Sequence, residues 1–187
     1  MACPPHSPPD GEPTRPPTGQ VCHGHLMMDV RLVEVDADNW RDCAALRVEE
    51  EQRRWVADVT YYLCLCTYGR TWHPLAIQLD NDVVGFLMWA VDDDHSRWIG
   101  GLVVDAAHQR HGVGRAAVIE AIRLLIAQPD CAGVALSCHP ANQAARSLYA
   151  ALGFFDTGET AEDGELVSRL RLGDAQTLAG IEGPDEP

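Results

Sequence analysis

The sequence contains no lysine: arginine supplies all 14 basic residues, against 28 acidic ones, for a net charge of −14. A phosphate-binding P-loop needs a lysine directly after its glycines, so that nucleotide-binding class is excluded. The shortage of positive charge also argues against general nucleic-acid binding, which rests on basic stripes facing phosphates. No apolar run approaches the ~20 residues needed to cross a bilayer, so no membrane span is expected. The N-terminus lacks the apolar stretch of a secretory signal. Seven cysteines show no zinc-like pairing. Cys64 and Cys66 stand two apart in an apolar run, and Cys43, Cys131 and Cys138 fall inside apparent core segments. That usage fits free thiols in a reducing cytoplasm. Cys22-His23-Gly24-His25 is read as tail composition, and no metal site is expected.

The 187 residues are enough for one domain with a normal core. Seven of the twelve prolines fall within the first seventeen residues. Such a segment cannot bury enough apolar surface to order itself, so 1–27 is expected to be a disordered, proline-rich extension. Met27-Met28 stands directly before the first strand and is read as an alternative start. The domain is expected over 28–172, and 173–187, polar and rich in Gly and Asp, is expected to be a flexible tail. Between the tails, Asp29 to Val35 alternates as a strand does. Asn39 to Arg47 reads as a helix, and Glu49 to Ala57 as a second one. Thr60 to Tyr68 fits either type. Leu75 to Leu79 and Val83 to Val91 read as strands joined at Asp80-Asn81-Asp82, a good turn. Strand, helix, strand, helix and two strands come next, which gives a mixed α/β sandwich without internal repeats.

One segment carries more chemistry than the rest. The apolar strand Gly101-Leu102-Val103-Val104 runs into a polar loop, Gln109-Arg110-His111-Gly112-Val113-Gly114, and a helix begins at Arg115. That order sets a row of backbone N–H groups at the positive end of a helix, which suits a phosphate or pyrophosphate. A ligand-free strand-to-helix turn is the plain alternative. Gly112-x-Gly114-x-x-Ala117 also matches a dinucleotide-binding turn. Against this, Asp105 to His111 separate the strand from the first glycine. The next strand closes on Cys138-His139 and not on the acid that would hold a ribose.

A second block is Asn142-Gln-Ala144-Ala-Arg-Ser-Leu148-Tyr149-Ala-Ala-Leu152-Gly153-Phe154. Asn142 suits a helix N-cap, the apolar residues recur at helical spacing, and Gly153 sits where a C-cap is wanted. Together, Gln109-x-x-Gly112-x-Gly114 and this block resemble the two motifs of the GNAT N-acetyltransferases, in the family's order and at its usual separation. Ala106 replaces the proline usual after the preceding strand. The resemblance covers roughly Val30 to Leu172. It implies a mixed, mostly antiparallel sheet splayed in the middle and flanked by helices, with acetyl-CoA as cosubstrate. By resemblance, the backbone of Leu102, Val103 and Val104 holds the pantetheine arm. Gln109, Arg110, His111, Gly112, Val113, Gly114 and Arg115 hold the pyrophosphate. Asn142 contacts the cofactor, and Tyr149 both touches it and acts as general acid toward the departing thiolate.

The C-terminal half, with Trp98-Ile99 and Asp163-Gly164-Glu165, resembles the diamine and polyamine branch of the family, which implies a small-molecule amine acceptor. Glu50 and Glu51, and Asp92 within Asp92-Asp93-Asp94, are candidate acceptor-binding carboxylates. For any single one of these residues a solvated surface is the favoured plain alternative, and water can serve as the base. The acidic charge would steer amines inward, and it also serves solubility. Gly100-Gly101 stand where relatives carry larger residues, so a roomier acceptor pocket is expected. Another amine (an aminoglycoside, an amino acid or a protein amine) and a non-catalytic acyl-CoA-binding module are the rival readings. The resemblance implies a homodimer as the assembly to test.

Overall fold

The computed structural model describes residues 29–161 and 164–180. The proline-rich extension, Cys22-His23-Gly24-His25 and the end of the C-terminal tail lie outside the described residues. The order is β1 (Val30–Glu34), α1 (Trp40–Ala45), a 3₁₀ turn (Glu50–Gln52), α2 (Val59–Cys64), a π turn (Leu65–Gly69), β2 (His73–Leu79) and β3 (Asp82–Val91). Next come β4 (Ser96–Val104), a 3₁₀ turn (Ala106–His108), α3 (Val113–Ile126), β5 (Gly133–Cys138), α4 (Gln143–Ala151), β6 (Phe155–Thr160), β7 (Leu166–Arg171) and α5 (Leu172–Ala179).

The seven strands form one sheet in the order β1-β2-β3-β4-β5-β7-β6. Every neighbouring pair is antiparallel except β4 and β5. The β2–β3 turn places Asp80 (φ 52°) and Asn81 (φ 76°) in the left-handed region, as a two-residue hairpin turn requires.

Helices cover both faces of the sheet. On one face α3 buries Val113, Ala117, Val118, Ala121, Ile122 and Leu125, spaced at three and four residues, against the sheet with α4 and α5. Each of the buried Val, Ile and Leu side chains contributes roughly 1.5–3 kcal/mol by leaving water. The opposite face packs Cys43 from α1, Leu46 just after it and Val59 from α2 onto Ala76, Phe86, Met88 and Val103. The result is the mixed α/β architecture expected.

Two local expectations fail. Glu49 to Ala57 is not a helix. It makes one 3₁₀ turn closed by a reciprocal capping box between Glu49 and Gln52, and then its groups are taken by distant partners. The Ala57 N–H donates to Tyr62 Oη at 3.0 Å, and Trp55 packs on His139 with ring centroids 4.5 Å apart. The tail expected to be flexible from 173 instead forms α5, whose Ala175 and Ala179 are buried. Arg123 Nε of α3 donates to the Ala179 carbonyl at 3.1 Å. Tertiary packing outweighs the weak propensity of Gly173 and Asp174.

A bulge interrupts the β3–β4 pair. Phe86 faces Val103 and Met88 faces Gly100, so Gly101 and Leu102 together oppose Leu87. Gly101 takes φ +59° there. Gly101→Ala should therefore cost about 1–2 kcal/mol, the penalty of a side chain in the left-handed region. Gly101→Asn should cost less, since asparagine tolerates that region. Urea midpoints compare the two, and equal losses would show that crowding, not backbone conformation, sets the requirement.

Candidate active site

Next to this bulge the centre of the sheet comes apart. The parallel pairing of β4 with β5 spans only Ser96–Ile99 against Gly133–Leu136. Beyond that point each strand stays bound to its outer neighbour. Gly100, Val103 and Val104 remain paired with β3, and Ser137 and Cys138 remain paired with β7. Both arms are held from outside while the inner edges separate, so the sheet opens between them.

Leu102, Val103 and Val104 form the opened edge of β4, and the loop beyond it is built to expose backbone. Asp105 caps the Ala106–His108 turn, accepting from the Ala107 N–H at 3.1 Å and from the Arg47 N–H at 3.0 Å. Gln109 Nε2 donates to the Val104 carbonyl at 2.9 Å and to Gln52 Oε1 at 2.8 Å. Gln52 Nε2 returns a bond to Gln109 Oε1 at 2.9 Å. Arg110 (φ +61°) and Gly112 (φ +88°) turn the chain into α3. No side chain caps α3, so its first-turn amides keep their hydrogen-bonding capacity. Val113 is anchored in the core, whereas Arg110, His111 and Arg115 are exposed around the helix end. A Cβ added at Gly114 would lie 3.7 Å from Val104 Cγ2 and 3.9 Å from Leu148 Cδ2. The opened strand, the loop and α4 therefore meet at one place.

Asn142 caps α4 by accepting from the Ala145 N–H at 3.2 Å. Tyr149, near the end of the same helix, is buried with its ring centroid 6.0 Å from that of Phe154. Burial raises the Tyr149 phenol above its ordinary value, and neighbouring Cys138 and Glu165 add to the rise. Burial likewise raises the Cys138 thiol, with a smaller contribution from Glu165.

The candidate carboxylates do not converge. Glu50 and Glu51 sit beside Gln52, at the loop end of β4, and Glu50 pairs with Arg53 at 3.2 Å. Asp92 lies beyond the other end of β4, where its Oδ2 accepts from Trp98 Nε1 at 3.0 Å. Nearby, Asp94 binds Arg169 at 3.1 Å. Hydrogen bonds from Ser96, then the charge of Arg169, hold the Asp94 carboxyl below its ordinary range.

A sequence profile of the acetyltransferase (GNAT) family matches residues 34–154. The chain belongs to that family. It is an acetyl-CoA-dependent N-acetyltransferase. No curated protein matches the chain by sequence. Among solved structures, the acetyltransferase resembles aminoglycoside acetyltransferase AAC(6')-Ib in complex with coenzyme A, with a TM-score of 0.64 at 18% identity. That match covers 79% of this chain and 98% of the other. A spermidine N-acetyltransferase from Vibrio cholerae, in complex with CoA and spermine, gives a TM-score of 0.63 at 13% identity, covering 78% and 97%. The ribosomal-protein-S18-alanine N-acetyltransferase from Escherichia coli gives 0.57 at 18%, covering 84% and 99%. These likenesses establish a shared fold.

One expectation about the site of this acetyltransferase is overturned. Gly100 and Gly101 do not leave an open pocket. A Cβ at Gly100 would lie 2.9 Å from Trp72 Cζ3, and one at Gly101 would lie 3.4 Å from Tyr62 Cδ2. Aromatic rings from elsewhere in the chain fill the space the glycines vacate. Neither Trp72 nor Tyr62 carries a motif that would have singled it out, because each matters only through a non-local contact. Among the described residues, no group of three His, Cys, Asp or Glu side chains is placed to hold a metal ion, and no helix is long and apolar enough to cross a membrane.

Proposed function

We propose that this acetyltransferase moves the acetyl group of acetyl-CoA onto a primary amine of a small molecule, with a diamine or polyamine as acceptor. The observation that carries the reading is the parting of β4 from β5 beside the uncapped N-terminus of α3. These groups suit the cosubstrate. Free first-turn amides and the positive helix end fit a pyrophosphate, with Gln109 to Arg115 around it. The opened edge at Leu102, Val103 and Val104 offers backbone donors and acceptors to an amide-containing arm. Asn142 caps α4, the helix whose Leu148 lies beside Gly114, and is assigned a contact to the cosubstrate. When bound, acetyl-CoA supplies an activated acyl carbonyl joined to a thiol leaving group.

Tyr149 is assigned the proton for that thiol. An ordinary phenol titrates near 10 and an ordinary thiol near 8.5, roughly, so the transfer would run uphill in water. Burial changes both partners in the same direction. A thiolate formed in a site closed to water would be a stronger base than one in solution. The raised phenol stays protonated across the working pH range. The amine must arrive neutral, and water removes its proton in this reading. Asp92 is assigned to a distal ammonium group, and Glu50 and Glu51 to steering. All five described cysteines are free thiols, which supports a reducing compartment such as the cytoplasm.

An aminoglycoside acceptor is the second reading, favoured by the likeness to AAC(6')-Ib. The test measures CoA release with spermidine, spermine, lysine and an aminoglycoside panel. Turnover of polyamines at the highest kcat/KM is expected. Turnover confined to other amines would overturn the polyamine assignment. CoA binding by calorimetry with no transfer to any amine would point to a binding module.

A further inference from the structure

The two faces of the opened sheet are not equivalent. The pyrophosphate loop, α3 and α4 belong to one face. Resting on the acetyl-transfer reading, an acceptor must then reach the opened end of β4 from the face of α1 and α2. There, Gly100 and Gly101 form the floor, and two aromatic rings stand over them. Trp72 comes from the segment just before β2, with Cζ3 and Cη2 at 2.9 and 3.0 Å from where a Gly100 Cβ would be. Met88 Cε is 3.4 Å from the same point. Tyr62, on α2, stands over Gly101 and is held on two sides. Its ring stacks on Phe86 at 6.1 Å with 8° between planes, and its Oη accepts the Ala57 N–H. Trp72 remains half-exposed, so one edge of the wall is wet.

We infer that Trp72, set into the space left by Gly100, determines acceptor specificity by narrowing the approach to the opened end of β4, so that a thin, linear alkylamine is admitted ahead of a wide one. Aromatic rings beside that approach favour such a chain twice. Flat ring faces pack methylene groups, and their negative faces attract an ammonium. An amine carried on a substituted ring needs width where Trp72 stands. Gly100 is required on this account because any side chain there would displace the Trp72 ring. The ring is the free end of a side chain, so Gly100→Ala tilts it without unfolding the strand.

The test compares wild type, Trp72→Ala, Trp72→Phe, Gly100→Ala and the Gly100→Ala/Trp72→Ala double variant. CoA release is measured with putrescine and spermidine, and with kanamycin as the wide amine. Calorimetric binding of the same amines to the CoA-loaded protein is measured in parallel. Trp72→Ala should raise the kanamycin-to-spermidine ratio of kcat/KM, and of binding, by about tenfold or more, with Trp72→Phe between. The KM for acetyl-CoA should move less than about twofold. Gly100→Ala should alter the ratio in the wild-type background and have no effect once Trp72 is alanine, since the coupling is between those two positions. A ratio unchanged within about twofold in both Trp72 variants overturns the inference, even if the wild type turns over an amine and the acetyl-transfer reading stands. Wild-type protein that transfers acetyl to no amine overturns that reading instead, and the binding ratios then decide the role of Trp72 by themselves.

Discussion

Replacing Tyr149 by phenylalanine is expected to lower kcat by about a hundredfold or more, in the range of a lost general acid. Acetyl-CoA binding should change less than about twofold, because the ring stays and only Oη is removed. The buried site accepts the change: phenylalanine fills the same space against Phe154, and folding should be preserved. On the role proposed for Tyr149, the thiolate would without Oη depart unprotonated into a site poor in water, where charge is disfavoured. The pH profile gives a second readout. The folded phenol is raised above its ordinary value of about 10. Activity should therefore show no alkaline decline from loss of this proton up to about pH 10. The linked stability runs the same way: it is whole below the ordinary phenol value and declines only above it, and Tyr149→Phe should abolish that decline. Single-turnover measurement with saturating amine is the decisive assay. A kcat within about threefold of wild type would remove Tyr149 from the reaction.

Phe86→Ala should be the most damaging core substitution, costing about 3–5 kcal/mol. Phe86 is fully buried in the centre of β3, opposite Val103, between the sheet and the α1–α2 layer. Its ring also positions Tyr62. A domain of this size has roughly 5–15 kcal/mol in all, so the variant should stand near the folding threshold. Urea denaturation should show the midpoint falling with the slope nearly constant. Phe155→Ala provides the contrast. Phe155 is 37% exposed and packs against Arg171, so its loss should be about 1 kcal/mol or less. Equal losses at the two positions would mean that the α1–α2 layer contributes little to stability.

The parts of the fold legible in the sequence are those governed by neighbours along the chain. Asn142 caps α4 because its side chain reaches an amide three residues on. Gly112 and Gly153 adopt positive φ at helix ends, where glycine is favoured. The turn at Asp80-Asn81 and the strand on either side arise from local pattern. The failures lie where distant residues compete. The Glu49 to Ala57 helix stops because Gln52, Trp55 and Ala57 each find a partner from another element. Conversely, α5 forms on poor propensity because α3 and β5 offer a surface to bury it.

By itself, the sequence determined the family, the strand–loop–helix order that exposes backbone amides, and the residues of that loop. These are properties of contiguous segments, where steric and hydrogen-bonding preferences act within a few residues. Tertiary structure alone decided what stands against Gly100. A missing side chain at Gly100 reads as empty space along the chain, but the space belongs to whichever segment packs there. Trp72, brought in by the β2–β3–β4 register, occupies it. Close packing leaves no such volume vacant, and which side chain fills it depends on contacts across the sheet.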